Sequence, residues 1–247
     1  MLDKRRQLLN VIFAILQAAA PLMPLLGLGV SVGDRDGIGS PLEVPAGYAF
    51  SIWGVIFLLG LIYAVQQALP DARTAKLYRE IGDGTWVLFA LSTVWMVIAQ
   101  LNGPNGVLAV IIVVMLVLAL RIVVLAAQMS PMRGSEIVIP LAGLYAGWLT
   151  LAAPLNISSV LRDLGVAPLG LSEWLYASIV LLVGAAIAIG MLLKLRGLFW
   201  YAAAAIWGLV AVAVKTIPQG STSAHVGYVA AALVIALGIV MVTRRRT

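Results

Sequence analysis

The chain has 247 residues, of which 62% are hydrophobic and 11% are charged. A soluble domain carries about 25% charged residues, so a soluble fold of this length could not bury so much apolar surface. The composition therefore indicates an all-α integral membrane protein. The net charge of +6 does not indicate nucleic acid binding, because the basic residues lie in short clusters between apolar runs.

Eight apolar runs of sufficient length predict eight transmembrane helices. We place them at 8–30, 48–69, 83–101, 106–128, 137–161, 173–193, 198–216 and 226–243. The start of the first run resembles a signal peptide, with Ala18-Ala19-Ala20 as the cleavage motif. Cleavage there would leave Pro21 as a poor first residue, and the run continues to Val30, so we expect a retained helix.

The distribution of Lys and Arg predicts the orientation of the helices. One side of the predicted membrane collects twelve of these residues: Lys4, Arg5, Arg6, Arg73, Lys76, Arg79, Arg133, Lys194, Arg196, Arg244, Arg245 and Arg246. The other side has three, Arg35, Arg162 and Lys215, and Arg121 lies within a helix. Positive loops stay in the cytoplasm, so both termini are predicted to be cytoplasmic in a multi-pass protein of the cell inner (plasma) membrane.

The second predicted helix opens with an aromatic segment on the non-cytoplasmic side. Phe50, Trp53 and Phe57 are spaced three and four residues apart, so they share one helix face. One interpretation is an aromatic belt at the membrane interface. Trp53 lies deeper than a belt requires if the helix begins near Tyr48, and the other interpretation is a ligand pocket.

Arg121 lies in the inner half of the fourth predicted helix. Its side chain is within snorkelling reach of the cytoplasmic surface, and a functional counter-charge is the alternative. Gln17 lies near the middle of the first helix. These two polar residues are the ones that a transport path would use.

The fifth predicted helix combines large aromatic and small residues. Tyr145, Trp148 and Ala152 lie on one face, and Asn156 continues that face one turn later. Asn156 either fixes helix packing or contacts a ligand, because an unpaired amide in the bilayer is costly. Small-residue pairs such as Gly143 and Gly147 predict close helix packing within the chain, and a homodimer interface is the alternative.

The last three predicted helices carry few polar residues. Lys215 and His225 flank the loop between the seventh and eighth helices, and we expect both to be solvated. Enzyme chemistry finds little support, because Glu43, Glu136 and Glu173 are scattered and His225 is the single histidine. With no cysteine in the chain, neither a disulfide nor a thiolate metal site is available. We expect no enzyme, no metal site and no bound cofactor.

The second and fifth helices resemble the translocator-protein (tryptophan-rich sensory protein, TspO/MBR) family. The second helix of that family opens with Pro-Pro-x-Trp-x-Phe-x-Pro-Val-Trp, an order followed here by Pro45, Tyr48, Phe50 and Trp53. Its fifth helix carries Pro-Tyr-x-x-Trp-x-x-x-Ala-x-x-Leu-Asn, which is matched by Tyr145, Trp148, Ala152, Leu155 and Asn156. The Arg-Asp pair that follows in the family recurs as Arg162-Asp163.

The chain also departs from the family pattern. The step from Phe50 to Trp53 is one residue shorter, Tyr48 replaces a Trp, and Leu144 replaces the Pro before the fifth-helix Tyr. On the third helix, Trp95 is a loose echo of the family's Asn-x-x-Trp-Ser element. The family core has five helices, so the resemblance implies a core over residues 1–163 and three additional transmembrane helices over 164–247.

The resemblance implies a bundle that binds a hydrophobic or planar aromatic ligand. The family is associated with tetrapyrroles such as porphyrins and haem, and with sterols in eukaryotes. The implied ligand-binding residues are Tyr48, Phe50, Trp53, Trp95, Tyr145, Trp148, Ala152 and Asn156. The implied role is a sensor, regulator or carrier in the lipid bilayer. A secondary transporter of a small molecule and an accessory membrane subunit are the alternatives.

Overall fold

The computed structural model describes residues 2–35 and 40–245, and these residues form eight α-helices and several 3₁₀ turns, with no strand. The helices are α1 (Leu2–Ala19), α2 (Ile52–Ala68), α3 (Lys76–Asn102), α4 (Gly106–Gln128), α5 (Ser135–Asp163), α6 (Glu173–Lys194), α7 (Phe199–Thr216) and α8 (Ser221–Arg245). Within the described residues, eight helical segments are long and apolar enough to cross a membrane. The predicted all-α multi-pass bundle is thereby confirmed.

The observed bounds differ from the predicted ones mainly in the first three helices and in α8, which begins at Ser221 rather than at residue 226. α1 gives way to a 3₁₀ segment at Ala20–Leu26, because Pro21 and Pro24 have no N–H to continue the α-helical ladder. The second span opens as a 3₁₀ turn, Gly47–Ser51, before α2 begins. α3 begins at Lys76 rather than at residue 83.

α5 is the central helix of the bundle. It packs against α2, α4, α6 and α7. Within an apolar stretch of 18 residues in α5, 78% of the residues are buried. The corresponding share is 22% in the spans that contain α1 and α8. Helices α1 to α4 therefore lie on one side of α5, and α6 to α8 close the other.

Two glycines let α5 approach α7 closely. A methyl group at Gly147 would overlap the carbonyl oxygen of Tyr201, and one at Gly143 would lie 2.8 Å from Cβ of Trp200. In lipid, such close backbone packing replaces the hydrophobic force that joins helices in water. This small-residue face is therefore used within the chain.

The cations near the start of α1 mark one end of the bundle, which we call the basic end. Arg79 of α3 pairs with Asp3 of α1 at 2.6 Å. Arg6 donates to the carbonyl oxygen of Arg73 at 2.9 Å, and Lys194 ends α6 there. Of the cations counted above, Arg246 lies outside the described residues. The cytoplasmic location of this end stays a prediction.

Buried amides join α1 to its neighbours near the basic end. The amide groups of Gln7 and Gln67 donate to each other's backbone carbonyl oxygens, at 2.6 and 3.0 Å. Asn10 donates to the carbonyl oxygen of Gly82 at 2.9 Å. Because lipid offers no competing partners, these bonds fix how α1, α2 and α3 pack.

Candidate ligand-binding site

Aromatic side chains from α2, α3 and α5 meet in the core near the end opposite the basic one. The Trp53 ring centroid lies 6.1 Å from that of Trp95 and 6.4 Å from that of Trp148. Phe50 contacts Trp148 edge to face at 5.7 Å. Such offset and edge-on arrangements are the ones that aromatic pairs prefer.

A cavity of about 120 Å³ lies against this cluster, and we call it the aromatic cavity. Six of the eight residues proposed from the sequence line it: Phe50, Trp53, Trp95, Trp148, Ala152 and Asn156. Trp53 and Trp148 thus both contact each other and face one void. Most of the remaining wall is aliphatic, including Leu108 and Ile112 of α4.

Two side chains of the cavity wall hold unused hydrogen-bond donors. Trp53 is 4% exposed and Trp95 is 6% exposed. The indole nitrogen of each is buried, and no residue in the described parts of the chain forms a hydrogen bond with it. A buried Trp N–H usually finds an acceptor, and leaving it unpaired costs about 1–3 kcal/mol. Both indoles therefore keep a hydrogen-bond donor that no described residue takes up.

Asn156 of α5 lies beside the aromatic cavity, and its contact with a ligand stays a prediction. Its Nδ2 donates to the carbonyl oxygen of Ala152 on the preceding turn, at 2.9 Å. The same side chain lines the aromatic cavity. The amide nitrogen of Asn156 is thus bonded within α5, and this bond fixes the orientation of the side chain beside the cavity.

Tyr145 and Tyr48 lie outside the cavity wall. Tyr145 is fully buried and contacts Trp53 at 5.7 Å between ring centroids. Its hydroxyl donates to Oε1 of Gln17 at 2.6 Å, so it ties α5 to α1. Tyr48 is 46% exposed and packs edge to face against Trp207 of α7 at 5.5 Å.

A loop covers the aromatic cavity from the side opposite the basic end. We call residues 40–46 the roof segment, and Glu43, Val44 and Pro45 from it line the cavity. Glu43 is 1% exposed and accepts hydrogen bonds from Ser158 at 2.6 Å and from Arg162. The carboxylate therefore joins the roof segment to the end of α5.

The family described as TSPO-like protein matches residues 9–243. The chain belongs to the TSPO-like protein family. No curated protein and no solved structure matches the chain. The suspected family is thereby confirmed, and the matched residues of this TSPO-like protein include α6, α7 and most of α8.

Helix α7 of the TSPO-like protein contributes to the same cavity. Gly208, Leu209 and Val212 line it, together with Leu181 of α6. A side chain at Gly208 would press on Leu151 and Trp148. The cavity therefore draws on helices beyond residue 163, and the sequence motifs gave no sign of this.

Lys215 of α7 holds the roof segment. Its Nζ donates to Oγ of Ser40 at 2.6 Å and to the carbonyl oxygens of Pro41 and Val44 at 3.0 and 2.9 Å. The expectation that Lys215 is simply solvated is wrong, because these bonds hold a half-buried side chain. The sequence feature that could have indicated this contact is the position of Lys215, a lysine among apolar residues at a predicted helix end.

Two further hydrogen bonds join this part of the chain to α7. The backbone N–H of Ala46 donates to the carbonyl oxygen of Ala211 at 3.3 Å. The indole N–H of Trp207 donates to the carbonyl oxygen of Ala49 at 2.9 Å. The segment from residue 40 to residue 49 is thus bound to α7 at three successive levels.

Proposed function

We propose that this TSPO-like protein binds a hydrophobic, planar aromatic molecule in the aromatic cavity, as a sensor, regulator or carrier. The observation that supports this most directly is that Trp53 and Trp95 line the cavity while, among the described residues, their indole N–H groups have no hydrogen-bond partner. Aromatic stacking adds about 0.5–1.5 kcal/mol beyond the burial of apolar area. A ligand that also carries an acceptor removes the cost of the unpaired donors.

The ligand class follows from this wall chemistry. The unpaired indole groups are hydrogen-bond donors, so a ring nitrogen, a carbonyl oxygen or a hydroxyl oxygen can accept from them, whereas an ammonium group cannot. The tetrapyrrole implied by the family resemblance fits this class, because the unprotonated pyrrole nitrogens and the propionates of a porphyrin are acceptors.

The cavity is too small to hold a tetrapyrrole unless neighbouring residues move. The cavity measures about 120 Å³, whereas small-molecule sites commonly measure about 300–1,000 Å³. A cavity of this volume suits a molecule of one or two rings. A tetrapyrrole requires the roof segment to lift, or Phe50 to turn toward a second cleft that Phe50 and Trp53 also line.

The proposal is a binding function without catalysis. Among the described residues that line the cavity, the carboxylate of Glu43 is taken up by Arg162 and Ser158. The hydroxyl of Ser159 donates to the carbonyl oxygen of Leu155. These engaged groups suit the closing and shaping of a pocket better than proton transfer.

A transport function has less support than binding. Gln17 is fully buried and hydrogen-bonded to Tyr145, whereas Arg121 is exposed on the outer surface of α4. These two residues therefore do not line a common path. An accessory role, in which α6 to α8 bind a partner protein, remains a prediction that co-purification would test.

The experiment that tests the proposal is a ligand titration followed by tryptophan fluorescence. Protoporphyrin IX and the smaller quinoline are added to the full chain in lipid nanodiscs. We expect saturable quenching that is lost in a Trp53→Ala, Trp148→Ala double variant, with Trp86→Ala, Trp174→Ala as the control. Quenching that never saturates, or that the first variant leaves unchanged, contradicts the proposal.

A further inference from the structure

A groove opens on the outer surface of the bundle at the basic end, between the last turns of α4 and α6. It encloses about 490 Å³ and we call it the basic groove. Its lining consists of Val124, Ala127, Gln128, Lys194, Leu195 and Arg196. Two cations and one amide thus stand beside three apolar side chains, and none of these six residues is acidic.

Arg121 lies on the same face of α4 as the groove. Arg121, Val124 and Gln128 are three and seven residues apart, so their side chains point to one side of the helix. Arg121 is exposed. Among the described residues, neither Arg121 nor the two groove cations form an ion pair.

Neighbouring aromatic residues place the groove at the level of the lipid headgroups. Phe199 and Trp200 begin α7 beside the groove and are 43% and 39% exposed. Exposed aromatic residues at helix ends mark the membrane interface. Arg121 lies seven residues before the end of α4, about 10 Å deeper along the helix axis, where it faces lipid.

Arg196 lies in the turn that ends α6. Arg196 has φ +51°, in the left-handed region that non-glycine residues rarely adopt. A left-handed residue just past the last turn is a common way for a helix to end, and here the N–H of Gly197 donates to the carbonyl oxygen of Leu192 at 2.9 Å. The turn places the Arg196 side chain in the groove wall opposite α4.

We propose that the basic groove binds the phosphate of an anionic phospholipid. Lys194, Arg196 and Gln128 donate hydrogen bonds to the phosphate oxygens, and Arg121 reaches up to the same headgroup from below. The acyl chains lie along Val124 and the outer face of α4. A lipid suits the groove better than free phosphate, because half of the lining is apolar and Arg121 lies below the headgroup level. This inference does not depend on ligand binding in the aromatic cavity.

Native mass spectrometry of the full chain tests the inference, with equal amounts of phosphatidylglycerol and phosphatidylcholine as probes. We expect the parent chain to retain phosphatidylglycerol preferentially. Each basic residue near an anionic headgroup contributes about fivefold in affinity. The Arg121→Gln, Lys194→Gln, Arg196→Gln variant should therefore lose on the order of a hundredfold. Arg121→Gln alone should lose about fivefold.

The matched control removes the same charge elsewhere at the basic end. Lys4→Gln, Arg5→Gln, Lys76→Gln changes three exposed cations outside the groove, and we expect it to keep the preference. An equal loss in the control, or no loss in the groove variants, overturns the proposal. Displacement of the lipid by millimolar inorganic phosphate would also overturn it. Arg121→Gln affects one exposed side chain and keeps the test valid if the triple variant fails to fold.

Discussion

Arg162 donates hydrogen bonds from Nη2 to both carboxylate oxygens of Glu43, at 3.1 and 3.2 Å, across 119 residues of sequence. Glu43 is 1% exposed, so its charge is balanced almost entirely by this contact and by Ser158. Arg162 is anchored in turn by Glu173 at 2.9 Å and by the ring of Tyr176. The roof of the aromatic cavity therefore depends on an ion pair at its edge.

Replacement of Glu43 by Gln should loosen the roof segment. The amide keeps the shape but cannot balance Arg162, and a broken buried pair costs about 3 kcal/mol. Because Arg162 is 19% exposed, we expect a loss of about 2 kcal/mol in the free energy of unfolding. Thermal unfolding in detergent measures it. Glu80→Gln is the control, since Glu80 is exposed on α3, and an equal loss there would contradict the role of Glu43.

Removal of the Lys215 ammonium should open the aromatic cavity without unfolding the bundle. The chain has no cysteine, so a Ser159→Cys substitution introduces a single reporter thiol into the cavity wall. Lys215→Met removes three hydrogen bonds to the roof segment, each contributing about 0.5–1.5 kcal/mol. We expect the thiol to react with a water-soluble methanethiosulfonate at least about tenfold faster. In Lys76→Met the reaction rate should stay unchanged. An unchanged rate in Lys215→Met would show that α7 does not hold the roof.

The unpaired indoles predict a preference between two ligands of equal shape. Quinoline has a ring nitrogen acceptor and naphthalene has none. One hydrogen bond of about 1 kcal/mol corresponds to a preference of about fivefold for quinoline. In Trp53→Phe, Trp95→Phe, which keeps aromatic rings but no N–H donors, the preference should vanish. Equilibrium dialysis in nanodiscs measures both affinities, and a preference that survives in the variant would exclude these donors.

The contact between α5 and α7 should be sensitive to a single methyl group. In Gly147→Ala the new Cβ would overlap the carbonyl oxygen of Tyr201, and overpacking typically costs about 1–3 kcal/mol. We expect a lower thermal midpoint and weaker ligand quenching, because α7 forms part of the cavity wall. Gly190→Ala is the matched control, since its Cβ would meet nothing within 4 Å. Equal midpoints for the two variants would contradict the close packing.

The sequence predicted the helices and much of the cavity wall, because these features are local. Apolar runs of about 20 residues identify spans, and a spacing of four residues places Trp148 and Ala152, which both line the cavity, on one face of α5. The roof could not be predicted in the same way. Glu43 pairs with Arg162, and Lys215 bonds to Val44, across long stretches of chain. The residue spacing within one helix does not predict which distant residues will contact each other.

The contribution of α7 was missed for a related reason. Gly208, Leu209 and Val212 are ordinary residues of an apolar helix, and nothing in their spacing distinguishes a cavity wall from a lipid-facing surface. Tyr48 shows the opposite case. Its position in the family pattern suggested ligand contact, which stays a prediction. Because α2 begins after a 3₁₀ turn at Gly47–Ser51, Tyr48 packs on Trp207 and lines the second cleft rather than the aromatic cavity. The pattern gives the order of residues but not the direction of each side chain.

The most direct measurement of the central claim is protection of a cavity thiol by ligand. In the otherwise cysteine-free chain, Ser159→Cys is labelled with methanethiosulfonate in the presence of quinoline or protoporphyrin IX. Thr243→Cys, on the exposed last turn of α8, is labelled in parallel as the control. The account predicts that saturating ligand slows labelling at position 159 and leaves position 243 unchanged. Labelling at position 159 that proceeds equally fast with and without either ligand would contradict binding in the aromatic cavity.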